Sequence, residues 1–412
     1  MMAPCMMRRA YLLSSLAVAL LLPARSWGQT AQGSYNISPT AVTGSARNVA
    51  LGGAMVASPD GYTTSFINPA GLGGHAGTGI DFGSDSNMID NSVVDLDNPK
   101  SQALNNPIKY SYYGVRFANE DGWGYGFSVG TPFSLDNKFQ GTSRVKKGAF
   151  IQTGQDQTEL QVNDQTYTVA VGRSFLDKRL AVGLAVNYIQ VSETYDFTPV
   201  FNTTAPIHQV ATNDTFALDV GAIARPCSWL QVGAVYKMGS RVAFDQQRNN
   251  NLPSTSGAFP FRDTKTPDKL SLGLVWLPHE KFRFFAQTTY ALSMQDGLVV
   301  ASGLFPNTAN VVQAGRYATL DGHWGAEFVP IDTPDLTFKL WAGGYLEESG
   351  IAGGYHRYHR TAGFGLAPWF WSLNMAVDDS SLYNNFVVGL GVDILQLAAR
   401  IAKANGWKLP IQ

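Results

Sequence analysis

The sequence predicts an all-β chain: a transmembrane antiparallel β-barrel of about fourteen strands over residues 76–393, with an N-terminal plug (hatch) segment before it and a short C-terminal helix after it. Three observations carry that expectation. Charged residues make up only 15% of the 412, against about 25% in an ordinary soluble domain, so part of the surface does not face water. After residue 28 no stretch holds the ~18 unbroken apolar residues that a membrane helix needs. Apolar residues instead alternate with small or polar ones. Facing lipid with strands requires a closed ring, because hydrocarbon leaves no partner for an open edge.

In chain order, residues 1–28 read as a secretory signal peptide: Arg8 and Arg9, an apolar run of 13 residues from Ala10 to Leu22, and Ser26-Trp27-Gly28 before Gln29. The run is too short to span a bilayer comfortably, so removal near Gly28 is expected. This leader holds three of the 30 basic residues and none of the 31 acidic ones, leaving the remainder at a net charge of −4. Nothing in that balance points to nucleic acid as a partner. Cys5 departs with the leader, so Cys227 stands alone and no internal disulfide is expected.

Residues 29–75 belong to no hairpin. About fourteen strands enclose more space than their own side chains fill, and a plug in the lumen is the economical use of this segment. "SARNVALGGAMVA" (45–57) suits a short helix or loop packed on a wall. "SPDGYTTSFINPAGLGG" (58–74) then turns into the first strand. Pro69 fixes φ, Asn68 before it favours an extended or turn conformation, and Gly71, Gly73 and Gly74 allow close backbone approach.

Strands are expected near residues 76–88, 108–118, 122–134, 161–175, 180–196, 214–225, 229–243, 268–278, 281–293, 316–330, 335–347, 359–367, 369–378 and 383–393. In "LAVGLAVNYIQV", Leu180, Val182, Leu184, Val186 and Tyr188 share one face, with Ala181, Gly183, Ala185 and Asn187 on the other. "LQVGAVYKMG", "LSLGLVWLP" and "NNFVVGLGVD" behave the same way. Short turns ("NEDG", "LDKR", "RPCSW", "PHEK", "PIDTPD", "APW") alternate with long polar connectors at 135–160, 197–213, 244–267, 294–315 and 348–358. That asymmetry marks outer-membrane barrels, and an even strand number puts both ends on the periplasmic side. A soluble β-sandwich also alternates, but it explains neither the low charge nor the loop asymmetry.

Aromatic residues near strand ends (Tyr110, Tyr112, Tyr113, Trp123, Tyr125, Trp276, Trp324, Trp341, Trp369, Trp371) suit interfacial girdles, with some serving only as packing. Arg116, Arg173 and Lys237 pair with a ligand carboxylate if they face inward, and snorkel at the interface if they do not. "GFSVG" (126–130) meets the Gly-x-Ser-x-Gly pattern of a hydrolase elbow but lies inside an alternating strand with no helix after it, so no enzyme is read from it. His356 and His359 in "HRYH" read as a surface pair rather than metal ligands, and "DLDN" (95–98) as ordinary loop polarity rather than a calcium site. No cofactor is expected.

Past Asp393, "ILQLAARIAKANGWKLPIQ" places Leu395, Ala398, Ile401 and Ala402 opposite Arg400 and Lys403, an amphipathic helix ending at Asn405-Gly406. Residues 394–412 are expected as a periplasmic tail that lies at the inner leaflet, caps the barrel mouth or binds a periplasmic protein.

About 25 positions, "ALGGAMVASPDGYTTSFINPAGL", resemble the N-terminal signature of the FadL-type family of outer-membrane long-chain fatty-acid and hydrophobic-compound transporters. They are equally similar to the PorV-type relatives of secretion systems, and the rest of the chain matches in architecture alone. The resemblance implies a hatch inside a fourteen-stranded barrel, with Asn68, Pro69, Ala70 and Gly71 at a gate that moves when ligand binds. The plainer alternative is that these four only make the turn from plug to barrel. The function implied is passive uptake of hydrophobic small molecules, such as long-chain fatty acids, across the bacterial outer membrane, with outer-membrane lipid and the ligand as partners. The alternative is a non-transporting barrel that acts as subunit or anchor of a secretion or surface-motility complex. The added tail departs from the family pattern and favours that alternative.

Overall fold

The computed structural model describes residues 42, 44–59, 61–73, 79–91, 103–105, 108–147, 150–198, 207–242, 264–293, 298–301, 311–314, 318–348, 356–380 and 383–405. The expected signal peptide (1–28), "DLDN" and the last seven residues lie outside them. Fourteen strands form the wall: β1 (Gly79–Asn91), β2 (Ile108–Ala118), β3 (Trp123–Lys147), β4 (Phe150–Phe175), β5 (Leu180–Thr198), β6 (Ile207–Cys227), β7 (Leu230–Lys237), β8 (Lys269–His279), β9 (Phe282–Ala291), β10 (Thr319–Thr333), β11 (Leu336–Glu347), β12 (Arg357–Pro368), β13 (Trp371–Ser380) and β14 (Tyr383–Asp393). Each pairs antiparallel with its chain neighbours, and β1 pairs with β14 from Asp81↔Asp393 to Asn91↔Tyr383, closing the ring.

Alternation decides the two faces. Along β5, Leu180, Val182, Leu184 and Val186 are exposed while Ala181, Ala185 and Asn187 are buried; the same split holds for Leu270 and Leu272 against Ser271 on β8. An apolar row pointing out of a closed ring is a lipid-facing row. Near the short turns that row becomes aromatic, with Phe117, Tyr125, Phe282 and Trp369 exposed and Phe282 stacked 4.6 Å from Phe328. The Arg173 guanidinium lies 4.7 Å over the Trp123 ring, the snorkelling arrangement for this residue. Tyr112 and Trp341, by contrast, are buried.

Leu184 sits near the middle of the apolar row, so Leu184→Arg should destabilise the folded protein in lipid vesicles by about 2–4 kcal/mol. Urea titration of the vesicle-embedded protein measures this, and an unchanged midpoint would mean that this face meets water.

The strands begin and end close to the expected positions except at the outer end. Residues 135–160 are not a free connector: β3 and β4 stay paired from Leu135↔Val162 to Lys147↔Phe150. Beyond the membrane both faces of a hairpin are wet, so this stretch carries no apolar row to announce it. The connector at 197–213 is likewise partly strand, with Phe197 paired to Ile207. The strand expected at 229–243 ends at Lys237; its last part, Arg241–Val242, pairs instead with Thr264–Lys265 of the 244–267 connector, and Leu298–Ala301 pairs with Val311–Ala314 within the 294–315 connector.

At the other end the turns are tight. In "LDKR", Leu176, Asp177 and Lys178 all take positive φ, and in "NEDG" the Asn119 side chain accepts from Trp123 N at 2.9 Å. The chain after β14 forms a helix, Ile394–Ala404, as its periodicity predicts. The Asp393 carboxylate accepts from Gln396 N (2.9 Å). Arg400 reaches Asp335 in the β10–β11 turn (3.3 Å) and lies 5.1 Å over the Trp369 ring, which holds the helix along the rim.

Candidate functional site

The candidate site is built by residues 44–73, which precede β1 and touch the inner row of strands around the ring. Their structure comes from short-range rules. Ser45 caps helix α1 (Ala46–Ala50) through its hydroxyl, which accepts from Asn48 N at 3.2 Å. Gly52 and Gly53 take φ of +61° and +82° and end that helix. A 3₁₀ turn (Gly61–Thr63), helix α2 (Thr64–Ile67) and a second 3₁₀ turn (Pro69–Gly73) complete the segment. Pro69 opens the second turn, where its missing N–H has no role and its fixed φ already suits.

Asn68 joins the pieces. Its side-chain amide donates to Val56 O (2.8 Å) within the segment and to Ala234 O (3.2 Å) and Ala222 O (3.4 Å) on β7 and β6, while its Oδ1 accepts from Ala70 N (3.1 Å). Only a side chain that donates and accepts at one tip does this, so aspartate would leave carbonyls facing a carboxylate. The turn is pressed on the wall: a Cβ on Gly124, Gly172 or Gly183 would overlap the backbone of Leu72 or Pro69. Gly71 is equally confined, since a Cβ there would meet Pro59 and Thr64. The structure therefore brings Asn68, Pro69, Ala70 and Gly71 together as one buried turn against β4–β7.

Elsewhere the segment is fastened by side chains of the wall. Arg47 Nε donates to Glu327 Oε2 at 2.7 Å, and the same oxygen accepts from Trp341 Nε1 at 2.8 Å. Arg283 adds a second cation at 3.1 Å from Oε1. Asp85 takes Ala46 N on one oxygen (2.9 Å) and the Tyr62 hydroxyl on the other (2.8 Å). The Thr361 hydroxyl donates to Ala50 O (2.9 Å) and Gln287 accepts from Val56 N (3.0 Å). His323 Nδ1 lies 2.7 Å from Gly52 O; the carbonyl only accepts, so Nδ1 carries the proton.

Of the three basic residues singled out in the sequence, two face inward. Arg116 is buried and bonds Asp81 through Nε (2.7 Å). Lys237 donates to Phe66 O and lies 4.4 Å over that ring. The serine of "GFSVG", Ser128, accepts from the Ser65 hydroxyl at 3.1 Å within β3, a packing contact.

The histidine expectation is corrected. His359 is not a surface residue: it is buried on β12, with Nδ1 2.8 Å from Asp378 and Nε2 3.1 Å from Glu347. Its ring stacks on Tyr345 at 4.0 Å, whose hydroxyl donates to Asp378 at 2.7 Å. Only strand parity puts His359 on the inner row, and the spacing within "HRYH" does not reveal it. His356 is exposed.

A cavity of about 240 Å³ lies on the side of the ring facing away from Asn68. Arg47 and Tyr62 of the segment, Lys339 and Trp341 on β11, Ala367, Trp371 and Phe82 on the wall, and Gln396 of the terminal helix border it. Nothing in the sequence announces this space, since it arises where small inner-row residues (Gly365, Ala367, Ser372, Gly391) stand side by side on three strands.

A closed ring of fourteen antiparallel strands, apolar outside and polar within, is a transmembrane β-barrel. Its particular architecture is shared with solved barrels of hydrophobic-compound transport. A FadL homologue of Pseudomonas aeruginosa is similar at a TM-score of 0.61 and 13% identity, over 85% of this chain and 98% of that one. The Ralstonia pickettii toluene transporter TbuX reaches 0.57 at 13% identity over 85% and 97%, and the Pseudomonas putida toluene transporter TodX 0.55 at 14% over 85% and 99%. At such identities the likeness is one of fold. No protein-family model matches the chain, and no curated protein sequence matches it.

Proposed function

We propose that this protein is a channel of the bacterial outer membrane that passes hydrophobic small molecules inward, long-chain fatty acids among them, with residues 44–73 as its hatch. The observation that carries the reading is how the segment is held. It occupies the inner row through separate polar contacts to side chains of many strands, so it can loosen while the hydrogen-bonded wall stays closed. Ligand collects at the outer hairpins, enters the lumen beside the hatch and leaves toward the periplasm when the Asn68–Gly71 turn releases. The fold shared with toluene transporters supports this assignment, and no chemistry on the ligand is required.

Expression in a bacterium lacking its own fatty-acid transporter tests it: oleate uptake should be restored, and absent uptake with normal membrane insertion overturns the reading. Asn68→Ala removes two N–H donors shared among three carbonyls, each such loss costing about 1 kcal/mol or more, and should raise oleate influx roughly tenfold over wild type at equal protein level. The second reading, an anchor within a secretion or surface-motility complex, has one feature in its favour: Ile394 and Ile401 of the terminal helix are exposed, which suits a periplasmic protein partner. Co-purification that disappears on deleting residues 395–412, together with absent uptake, would establish that reading instead.

A further inference from the structure

We infer that the terminal helix (Ile394–Ala404) is a lipid-docking element, whose edge of Ile394, Leu397 and Ile401 rests in the phospholipid leaflet at the short-turn end of the ring. The inference concerns the outer surface of the barrel and does not depend on what passes through it. Three observations meet there.

The first is how the helix divides its sides. With about 3.6 residues per turn, Ile394, Leu397 and Ile401 form one edge, Leu395, Ala398 and Ala402 a second, and Gln396 and Arg400 a third. The polar edge is taken: Arg400 reaches Asp335 and lies over the Trp369 ring, and Gln396 borders the lumen cavity. The second edge is packed, with Ala402 buried and Leu395 and Ala398 half-buried in a helix that touches β1 and β14. Ile394 and Ile401 are left exposed.

The second is where that edge begins. The outward row of β14 runs Phe386, Val388, Leu390, Val392, and Ile394 is its next position. Val392 stands in register between Phe82 of β1 and Trp371 of β13, both on outward rows. An apolar and aromatic patch of the lipid-facing wall therefore leads straight into the helix.

The third is depth. Trp369, exposed in the short β12–β13 turn, belongs to the aromatic girdle that marks the boundary of the hydrocarbon. Arg400 stacks on it, so the helix is held at that level rather than hanging below the ring. An amphipathic helix fixed beside the hydrocarbon boundary buries its apolar edge among the acyl chains. A protein would have to reach the same edge past the lipid that already surrounds Val392 and Phe82.

Spin labels on the full chain in phosphatidylethanolamine–phosphatidylglycerol vesicles test this. In a Cys227→Ser background, a nitroxide is attached through Ile401→Cys or through Ala399→Cys, an exposed site on nearly the opposite side of the helix. Oxygen concentrates in the bilayer and a nickel chelate stays in water. The ratio of oxygen to nickel accessibility should be higher at 401 than at 399 by about tenfold or more. Ile394→Gln with Leu397→Gln should bring the 401 ratio down toward that of 399, and retained heat-modifiable mobility on gels shows that each variant folds. Equal ratios at the two sites in the parent protein, or a label at 401 shielded from both reagents, overturn the inference, the latter by showing that protein covers the edge. An oxygen-favoured label at 401 with absent oleate uptake would sustain this inference while the channel reading fails.

Discussion

Replacing Arg47 by alanine opens the ring to water-soluble solutes: proteoliposomes carrying Arg47→Ala swell in arabinose, whereas those carrying the wild type do not. Arg47 is buried and its partner Glu327 fully so. Deleting one member of such a pair typically costs 3–5 kcal/mol, because the other charge is left without compensation. Arg283 remains beside Glu327 at 3.1 Å, so we place the effect near the lower figure, about a hundredfold gain in the displaced segment at ~1.4 kcal/mol per tenfold. The wall itself is untouched, since its ladder closes without Arg47. Substituting both partners together, Arg47→Met with Glu327→Leu, removes the stranded carboxylate but leaves Arg283 and the Trp341 N–H without it, and should restore only part of the seal. Equal swelling for wild type and Arg47→Ala would remove the ion pair from any part in holding the segment.

Gly183→Val is the second large effect, and it acts on the opposite side. Any Cβ there would overlap Pro69 C and Ala70 N, and neither the β5 ladder nor the Pro69 ring gives way easily. Valine itself suits a strand, so β5 is kept and the Pro69–Gly73 turn is expelled. Overpacking of this kind costs about 1–3 kcal/mol or more. With Cys227→Ser as background, a cysteine at Ala70 should react with maleimide at least tenfold faster in Gly183→Val than in its Gly183 parent. Gly322→Ala is the control: nothing lies within 4 Å of a Cβ at that outward-row position, and labelling should not change.

How much of this was legible depends on the range of the interactions. The two faces of β5 follow from its own residues, because parity assigns Leu184 outward and Ala185 inward whatever the neighbours are. The short turns and the terminal helix are equally local. The site is another matter. The Asn68-Pro69 turn can be read as a turn, but its grip on Ala222 and Ala234 joins residues 154 and 166 positions apart, and Arg47 meets Glu327 across 280. No spacing rule reaches that far. A partial signal was present nonetheless: Asp85, Glu327, Glu347, His359 and Asp378 all fall on the row opposite the lipid-facing residues, and charge on an inner row has to be matched by something within the ring. The cavity left no such trace, being a property of neighbouring strands rather than of any one.

The seam between β1 and β14 has a bearing on how the molecule is made. It is the union of the earliest and the latest strands to leave the ribosome, eleven residue pairs from Asp81↔Asp393 to Asn91↔Tyr383. Until β14 arrives the growing sheet has two bare edges, and bare edges invite pairing with other chains. Until its last strand is present the sheet stays open to such pairing, and residues 44–59 and 61–73, which pack on the inner row, have to be enclosed before the zipper shuts behind them.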